Sequence, residues 1–307
     1  MQVISSQNYN DYKDNNTCLA IGAFDGLHKG HQLIIKKAVE AAREKNYPAG
    51  VLSFTPHPLK IIPDKTPPPS IVSRKQKISL LEEMGVDYYF EQEFNKEFAQ
   101  LRAEKFVNKI LIDNIRVDTV VVGDDFRFAN KNEANVEILK QLAEIHNFNT
   151  KIISQLHASE ERISSTRIRR LLKKGKLKKA AKLLGRPYQI CGRVVHGKKR
   201  GRKLGFPTAN IKLETNYALP PEGVYAAKVY FDNQEYIGAA NLGYNPTFNN
   251  QNISFEIYIL DFDGDLYNKR LCVDLMKFLR GEKDFSSKNE LIKQMEEDVL
   301  YTRELLC

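Results

Sequence analysis

The chain has 307 residues, 42% of them hydrophobic and 28% charged, with a formal net charge of +9; that suggests about two domains of ~100–200 residues in an ordinary globular protein. No apolar run reaches the ~18–20 residues of a membrane span, and the opening MQVISSQNYNDYKDNN lacks the apolar core of a signal peptide. Cys18, Cys191, Cys272 and Cys307 lie far apart with no CxxC pair, which argues against a zinc site or disulfide framework and for a reducing cytoplasm.

Up to about residue 155, strand-like runs (19–24, 50–54, 87–90, 119–122, 151–153) alternate with helix-like runs (31–45, 74–84, 104–113, 133–146). This alternation predicts a parallel sheet with helices on both faces, and ligands at the carboxyl ends of its strands. Three loops at those ends are unusual: GAFDGLHKGH, FTPHPLKIIPDKTPPP and GDDFRFANKN. Next, ISSTRIRRLLKKGKLKKAAKLLG reads as two short helices. Ser165 or Thr166 is expected to cap the first, which breaks at Gly175, and the second ends at Gly185. The following GRP predicts a boundary between domains 1–185 and 186–307. Beyond it, YQICGRVV, GVYAAKVYF, EYIGAANLG, ISFEIYILDF and RLCVDLMKF are β-rich runs between turn residues. They predict an antiparallel barrel. The tail from Ser286 is one helix, with Ser287 and Glu290 as a capping box.

His28 and His31 follow a strand and a Gly-rich bend and open a helix. A helix start offers free N–H groups and partial positive charge, which suit a phosphate, and two imidazoles add donors. Between Arg162 and Lys203 there is no Asp or Glu. A nucleic-acid face competes there with sites for small polyanions; Tyr188 is the only aromatic in the stretch, which favours small molecules. GRVVHGKK (192–199) fits GxxxxGK but places Lys199 where a P-loop needs Ser or Thr. In GFPTAN, Thr208 and Asn210 share one side of an extended strand and can meet one Mg2+. In FEIYILDF, Glu256, Tyr258 and Leu260 share one face, opposite Phe255, Ile257 and Ile259. Asp261, Asp263 and Asp265 mimic the start of a calcium loop, but the spacing fits a hairpin turn better.

GAFDGLHKGH and ISSTRIR resemble the two signature elements of the nucleotidylyltransferase superfamily. With FTPHP and VVGDDFRF in this order, the first half is similar to the adenylyltransferase half of the prokaryotic bifunctional riboflavin kinase/FMN adenylyltransferase family. GKKRGRKLGFPTANI, EGVYAAKV, NLGYNPTF and FEIYILDFDGDLYNKRLCVDLMKFLR resemble its flavokinase half. The resemblance implies a Rossmann-like α/β nucleotidyltransferase domain, then an all-β antiparallel Greek-key barrel with a C-terminal helix. It implies ATP-dependent phosphorylation of riboflavin to FMN and adenylylation of FMN to FAD.

Adenylyl transfer by in-line attack needs no protein nucleophile, so positioning and charge stabilisation suffice. The resemblance implies His28, His31 and Arg169 for this catalysis, with Gly22, Phe24, Asp25, Ser165 and Thr166 on its ATP. Pro56, His57 and Asp125 would face the flavin. For the kinase it implies Glu256 as general base, Thr208 and Asn210 on Mg2+, and His196, Gly197, Gly205 and Pro207 on ATP. Arg280 would contact flavin or phosphate. The sequence departs from the family at Ala129 and Ala134, where loop glycines would permit positive φ. The expected partners are riboflavin, FMN, FAD and ATP in the cytoplasm, not membrane or nucleic acid, with homo-oligomerisation left open. The rivals are a flavin-responsive RNA-binding regulator on the same modules, and an enzyme retaining only the kinase.

Overall fold

The computed structural model describes residues 1–307 except 13, 15, 62–65, 159–160, 198–200 and 248–249. Parts of the FTPHPLKIIPDKTPPP and GRVVHGKK motifs therefore lie outside the described residues. The chain forms two compact units, Met1–Pro68 with Arg74–Ser164, and Pro69–Ser73 with Ser165–Cys307.

In the first unit six parallel strands form one sheet: β1 (Gln2–Ser5), β2 (Thr17–Ile21), β3 (Ala49–Thr55), β4 (Tyr88–Glu93), β5 (Val117–Gly123) and β6 (Asn149–Ile153). The spatial order is β1-β4-β3-β2-β5-β6. The helices are α1 (Lys29–Lys45), α2 (Arg74–Glu83), α3 (Ala103–Phe106), which continues as π-helical Val107–Asn114, and α4 (Val136–His146). Strand alternation divides the core in two. Leu19, Ile21, Leu52, Val120 and Val122 pack with Phe106, Ile110, Leu139 and Ala143. Ala20, Val51 and Val121 pack with Ile35, Ala38 and Leu81. Helices thus cover both faces, which is why β2 is buried along its whole length. β1 was not foreseen. It is an edge strand with only Ile4 buried, so its periodic signal is faint. From β2 the chain winds toward β3 and β4, then jumps back to β5. The crevice beside the carboxyl ends of β2 and β5 is therefore the topological switch point. A two-stranded hairpin, β7 (His157–Ala158) and β8 (Glu161–Arg162), follows.

The second unit opens with α5 (Ser165–Lys173) and α6 (Leu177–Leu184). Because α5 begins at Ser165, Ser165 and Thr166 occupy its first turn rather than its cap. Gly175 and Gly185 are left-handed, at φ 66° and 79°, where Gly carries no Cβ penalty. α6 buries Leu177, Ala180, Leu183 and Leu184 and touches β9 (Tyr188–Val195) and β14 (Arg270–Arg280). The other barrel strands are β10 (Thr208–Leu213), β11 (Gly223–Phe231), β12 (Gln234–Thr247) and β13 (Asn250–Ile259). They close in the order β10-β13-β12-β11-β14-β9. Strands β11, β12 and β13 form a meander and β14 returns beside β11, which is a Greek key. The loop from Leu260 to Lys269 is consequently the long return of that key, not a hairpin, because β13 and β14 do not pair. α7 (Lys288–Leu306) ends the chain; Ser287 Oγ accepts from Glu290 N–H at 3.2 Å.

The cysteine expectation fails here. Cys191 on β9 and Cys272 on β14 are register partners with Cα atoms 4.1 Å apart, and they form a disulfide. Their separation of 81 residues hides in sequence what strand register makes adjacent.

Candidate active sites

The first site stands at the switch point of the α/β unit. β2 runs into a bend whose Phe24, Gly26 and Leu27 have φ 48°, 83° and 42°. Phe24 turns its ring back beneath Gly22, where a Cβ would lie 3.0 Å from the ring. The sequence GAFDG thus folds tightly enough to aim α1 at the crevice. His28 is the N-cap of α1, its Nδ1 accepting from His31 N–H at 3.3 Å. The two imidazoles stack with centroids 3.6 Å apart, and Phe24 meets His31 edge-on at 5.3 Å. Burial holds the His31 pKa well below the usual imidazole value, and the positive charge of His28, Lys77 and Arg162 adds to this. His31 is therefore neutral at pH 7. Its Nδ1 is buried without a hydrogen-bond partner.

Lys77, on α2, was not read from the sequence. Its Nζ donates to the Ala23 carbonyl at 2.9 Å and lies 3.4 Å from Ser53 Oγ, while Ser53 Oγ donates to the same carbonyl at 3.1 Å. Two donors from neighbouring elements so pin the bend before Asp25. Nothing in the spacing of α2 marks Lys77, because its role depends on β2 and β3 lying side by side. Across the crevice, Asp125 follows β5 and pairs with Arg162. His57 caps a short 3-10 turn, Pro58–Lys60, through Nδ1 to Leu59 N–H at 3.2 Å, and follows a cis Thr55–Pro56 bond. Ala129 has φ 67° and ψ −174°, a region that Gly alone visits readily. Ala134 is fully buried and bridges to Phe128. Ser165, Thr166 and Arg169 belong to the other unit. There Arg169 Nε donates to the Pro69 carbonyl at 2.8 Å, tying α5 to the 69–73 segment.

The second site lies on the barrel. Register aligns Asn210, Glu256, Asn241, Val224 and Arg280 in one row across five strands. Phe255, Ile257 and Ile259 point into the core as the alternation predicted, leaving Glu256 on the outer wall. Glu256 pairs with no Lys or Arg among the described residues. Instead Oε2 accepts from Thr208 Oγ1 at 3.0 Å and Oε1 from Ser254 Oγ at 3.3 Å. Two cavities flank this point. One, about 440 Å³, is lined by Glu256, Asn241, Arg280 and the α7 residues Leu291, Met295 and Asp298. The other, about 600 Å³, is lined by Gly197, Pro207, Asn210, Asp263 and Tyr267. Thr208 lines both. His196 lies against Tyr267, with ring centroids 4.0 Å apart and planes tilted by 36°.

The glycines sort by role. A Cβ on Gly197 would fall 2.3 Å from the Asn210 amide, so that backbone cradles the side chain. Gly205 is left-handed at φ 87°. A Cβ on Gly192 would strike Ile211 and Lys212 at 2.4 Å, so Gly192 serves the close approach of β10 to β9 and not a phosphate loop. Asp261, in the return loop, pairs with Arg303 at 2.9 Å. No cluster of metal-binding His, Cys, Asp and Glu occurs among the described residues. Sequence reading missed Asn241 and Asp298, which only the barrel register and the docking of α7 bring to Glu256 and Arg280.

Two family models match in tandem, FAD synthetase over residues 10–167 and riboflavin kinase over 184–306. A bifunctional riboflavin kinase/FMN adenylyltransferase of Buchnera aphidicola (Schizaphis graminum strain) is 38% identical over 93% of each chain. The chain belongs to the bifunctional riboflavin kinase/FMN adenylyltransferase family. Members named alike from Listeria monocytogenes and Escherichia coli K12 are each 37% identical, over 95% and 93% of this chain and 93% and 91% of theirs. A crystal structure described as a macrolide-efflux protein from Streptococcus pneumoniae is 32% identical, with a TM-score of 0.88 over 98% of both chains. Among the described residues, no helix of this chain is long and apolar enough to cross a membrane. The family's order, FAD synthetase before kinase, is the order of the α/β sheet and the barrel.

Proposed function

We propose that the barrel phosphorylates riboflavin at its terminal ribityl hydroxyl and that the α/β unit adenylylates the resulting FMN, with the division of labour near residue 185. One observation carries the kinase half: the Glu256 carboxylate lines the first cavity and accepts a hydrogen bond from Thr208, which lines both cavities. Riboflavin occupies the cavity closed by α7 and ATP the one beside Gly197. Glu256 takes the proton as the hydroxyl oxygen attacks the γ-phosphorus; the bond to the β–γ bridging oxygen breaks, giving FMN and ADP. Thr208 hydroxyl, Asn210 amide and Glu256 carboxylate are hard oxygen donors, and Gly197 cradles the Asn210 amide. This donor set fits Mg2+, and Thr208 and Asn210 would hold it. Bound there, the ion would neutralise phosphate charge. Thr208 meanwhile orients the Glu256 carboxylate toward the hydroxyl.

In the α/β unit, an FMN phosphate oxygen attacks the α-phosphorus of ATP and pyrophosphate leaves. The neutral imidazole of His31, the ring of His28 and the N-terminus of α1 donate to the phosphates. Asp125 and His57 face the flavin. The Cys191–Cys272 bond removes the cysteine argument for location. A cytoplasmic site is proposed instead from the ATP requirement. Replacing both His28 and His31 by Ala tests the assignment. FMN should accumulate from riboflavin while FAD formation drops by about 10²–10³-fold, on the scale of a lost oxyanion donor; wild-type FAD yield would refute it.

A further inference from the structure

The sequence offered Arg280 to flavin or phosphate without deciding between them. Its surroundings decide. Nε lies 3.0 Å from each Asp298 carboxylate oxygen, Nη2 donates to Oδ2 at 2.7 Å, and Nη1 donates to the Gly281 carbonyl at 3.1 Å. The guanidinium also lies over the Phe285 ring, 5.8 Å from its centroid. The side chains of Arg280 and Asp298 are only 16% and 9% exposed. All three guanidinium nitrogens are engaged and the charge is matched by one carboxylate. Such a group is a poor phosphate ligand and a good flat, rigid wall.

Its position along the row matters equally. Three strand spacings separate Glu256 from Arg280, through Asn241 and Val224. At ~4.8 Å per spacing this is about 14 Å along the curved wall, the scale of a five-carbon chain carrying a tricyclic ring. With the terminal hydroxyl at Glu256, the uncharged ring reaches the Arg280 end. Leu291, Met295 and Val299 of α7 supply apolar surface there.

We propose that Asp298 is a positioning residue for riboflavin phosphorylation, fixing the Arg280 guanidinium as the wall against which the flavin ring lies. This rests on placing riboflavin in the Glu256 cavity. A bland alternative exists: the Arg280–Asp298 pair only docks α7 on the barrel. The two differ in which kinetic constant moves. A positioning role for the ring raises the KM for riboflavin and spares turnover. Loosened docking lowers kcat and the melting temperature together.

The test compares Asp298→Asn, Asp298→Glu and Arg280→Lys in the full chain, with lumiflavin, the ring without the ribityl chain, as competitive inhibitor. In Asp298→Asn the riboflavin KM and the lumiflavin Ki should rise together by ~10-fold, with kcat and the ATP KM within ~3-fold of wild type. Arg280→Lys keeps the charge but loses the fork, and should show the same paired rise. Asp298→Glu keeps the carboxylate and should recover most of the loss. FAD formation from supplied FMN checks in each sample that the chain is intact. If Asp298→Asn fails to fold, Arg280→Lys and Asp298→Glu decide by the same two constants. Unchanged KM and Ki, or a loss confined to kcat, would overturn the role of Asp298. Lumiflavin that does not compete with riboflavin even in the wild type would instead overturn the placement of riboflavin in this cavity.

Discussion

Glu256→Gln isolates the proton acceptor of the kinase from its scaffold. Gln has the shape of Glu, and Thr208 and Ser254, at 3.0 and 3.3 Å, are hydroxyls that can accept from an amide or donate to its oxygen. The local contacts should therefore survive, and Glu256 lies on the outer wall, so the core of Phe255 and Ile257 is untouched. What disappears is the base. General-base removal typically costs 10²–10⁴-fold, about 2.7–5.4 kcal/mol of transition-state stabilisation at 1.36 kcal/mol per decade. The assay is ADP and FMN formation from riboflavin and ATP, run beside FAD formation from supplied FMN. Phosphorylation should fall by that factor while adenylylation stays within about twofold. Phosphorylation within tenfold of wild type would show that Glu256 is not the base. Equal loss of both activities would show a chain that no longer folds.

Three further outcomes are expected. Ala129→Gly relieves a conformation costing of order 1–3 kcal/mol and adds back ~0.4–1 kcal/mol of unfolded-state entropy, so it should stabilise by about 1 kcal/mol in urea unfolding; destabilisation would refute the strain at φ 67°. Since the folded pKa of His31 is lowered, the unfolded chain binds more protons below pH ~6.5; stability is full above that pH and is lost progressively as the pH falls below it, and His31→Gln should flatten this limb in melting curves. A fragment 186–307 should phosphorylate riboflavin but melt below a fragment 165–307, because it loses the buried Leu177, Leu183 and Leu184 of α6, each contributing about 1.5–3 kcal/mol; equal melting temperatures would show that α6 does not brace the barrel.

The sequence spoke most clearly where a feature was local. The alternation of strand and helix announced the sheet, the HxxH after a Gly-rich bend announced the helix N-terminus, and the period-2 pattern of FEIYILDF put Glu256 opposite its apolar neighbours. It was silent where the physics is long-range. The Cys191–Cys272 bond needs the register of β9 against β14. The return loop 260–269 resembles a hairpin because turn chemistry is local, whereas β14 pairs with β11 and β9, both far upstream, and not with β13. Lys77 and Asp298 sit on helices among other charges, and only docking against a strand end or a barrel wall distinguishes them. The α5–α6 pair carries Gly-marked ends legible in sequence, yet its allegiance to the barrel is written in which side chains it buries.

The central claim is that one chain performs both transfers in succession. The most direct measurement supplies the full-length protein with riboflavin, ATP and Mg2+ in one vessel and follows riboflavin, FMN, FAD, ADP and pyrophosphate together. The account predicts that FMN and ADP appear first in equal amounts, and that FAD then forms with one pyrophosphate released for each FMN consumed. FMN that accumulates without FAD or pyrophosphate, or riboflavin that is never phosphorylated, would contradict it.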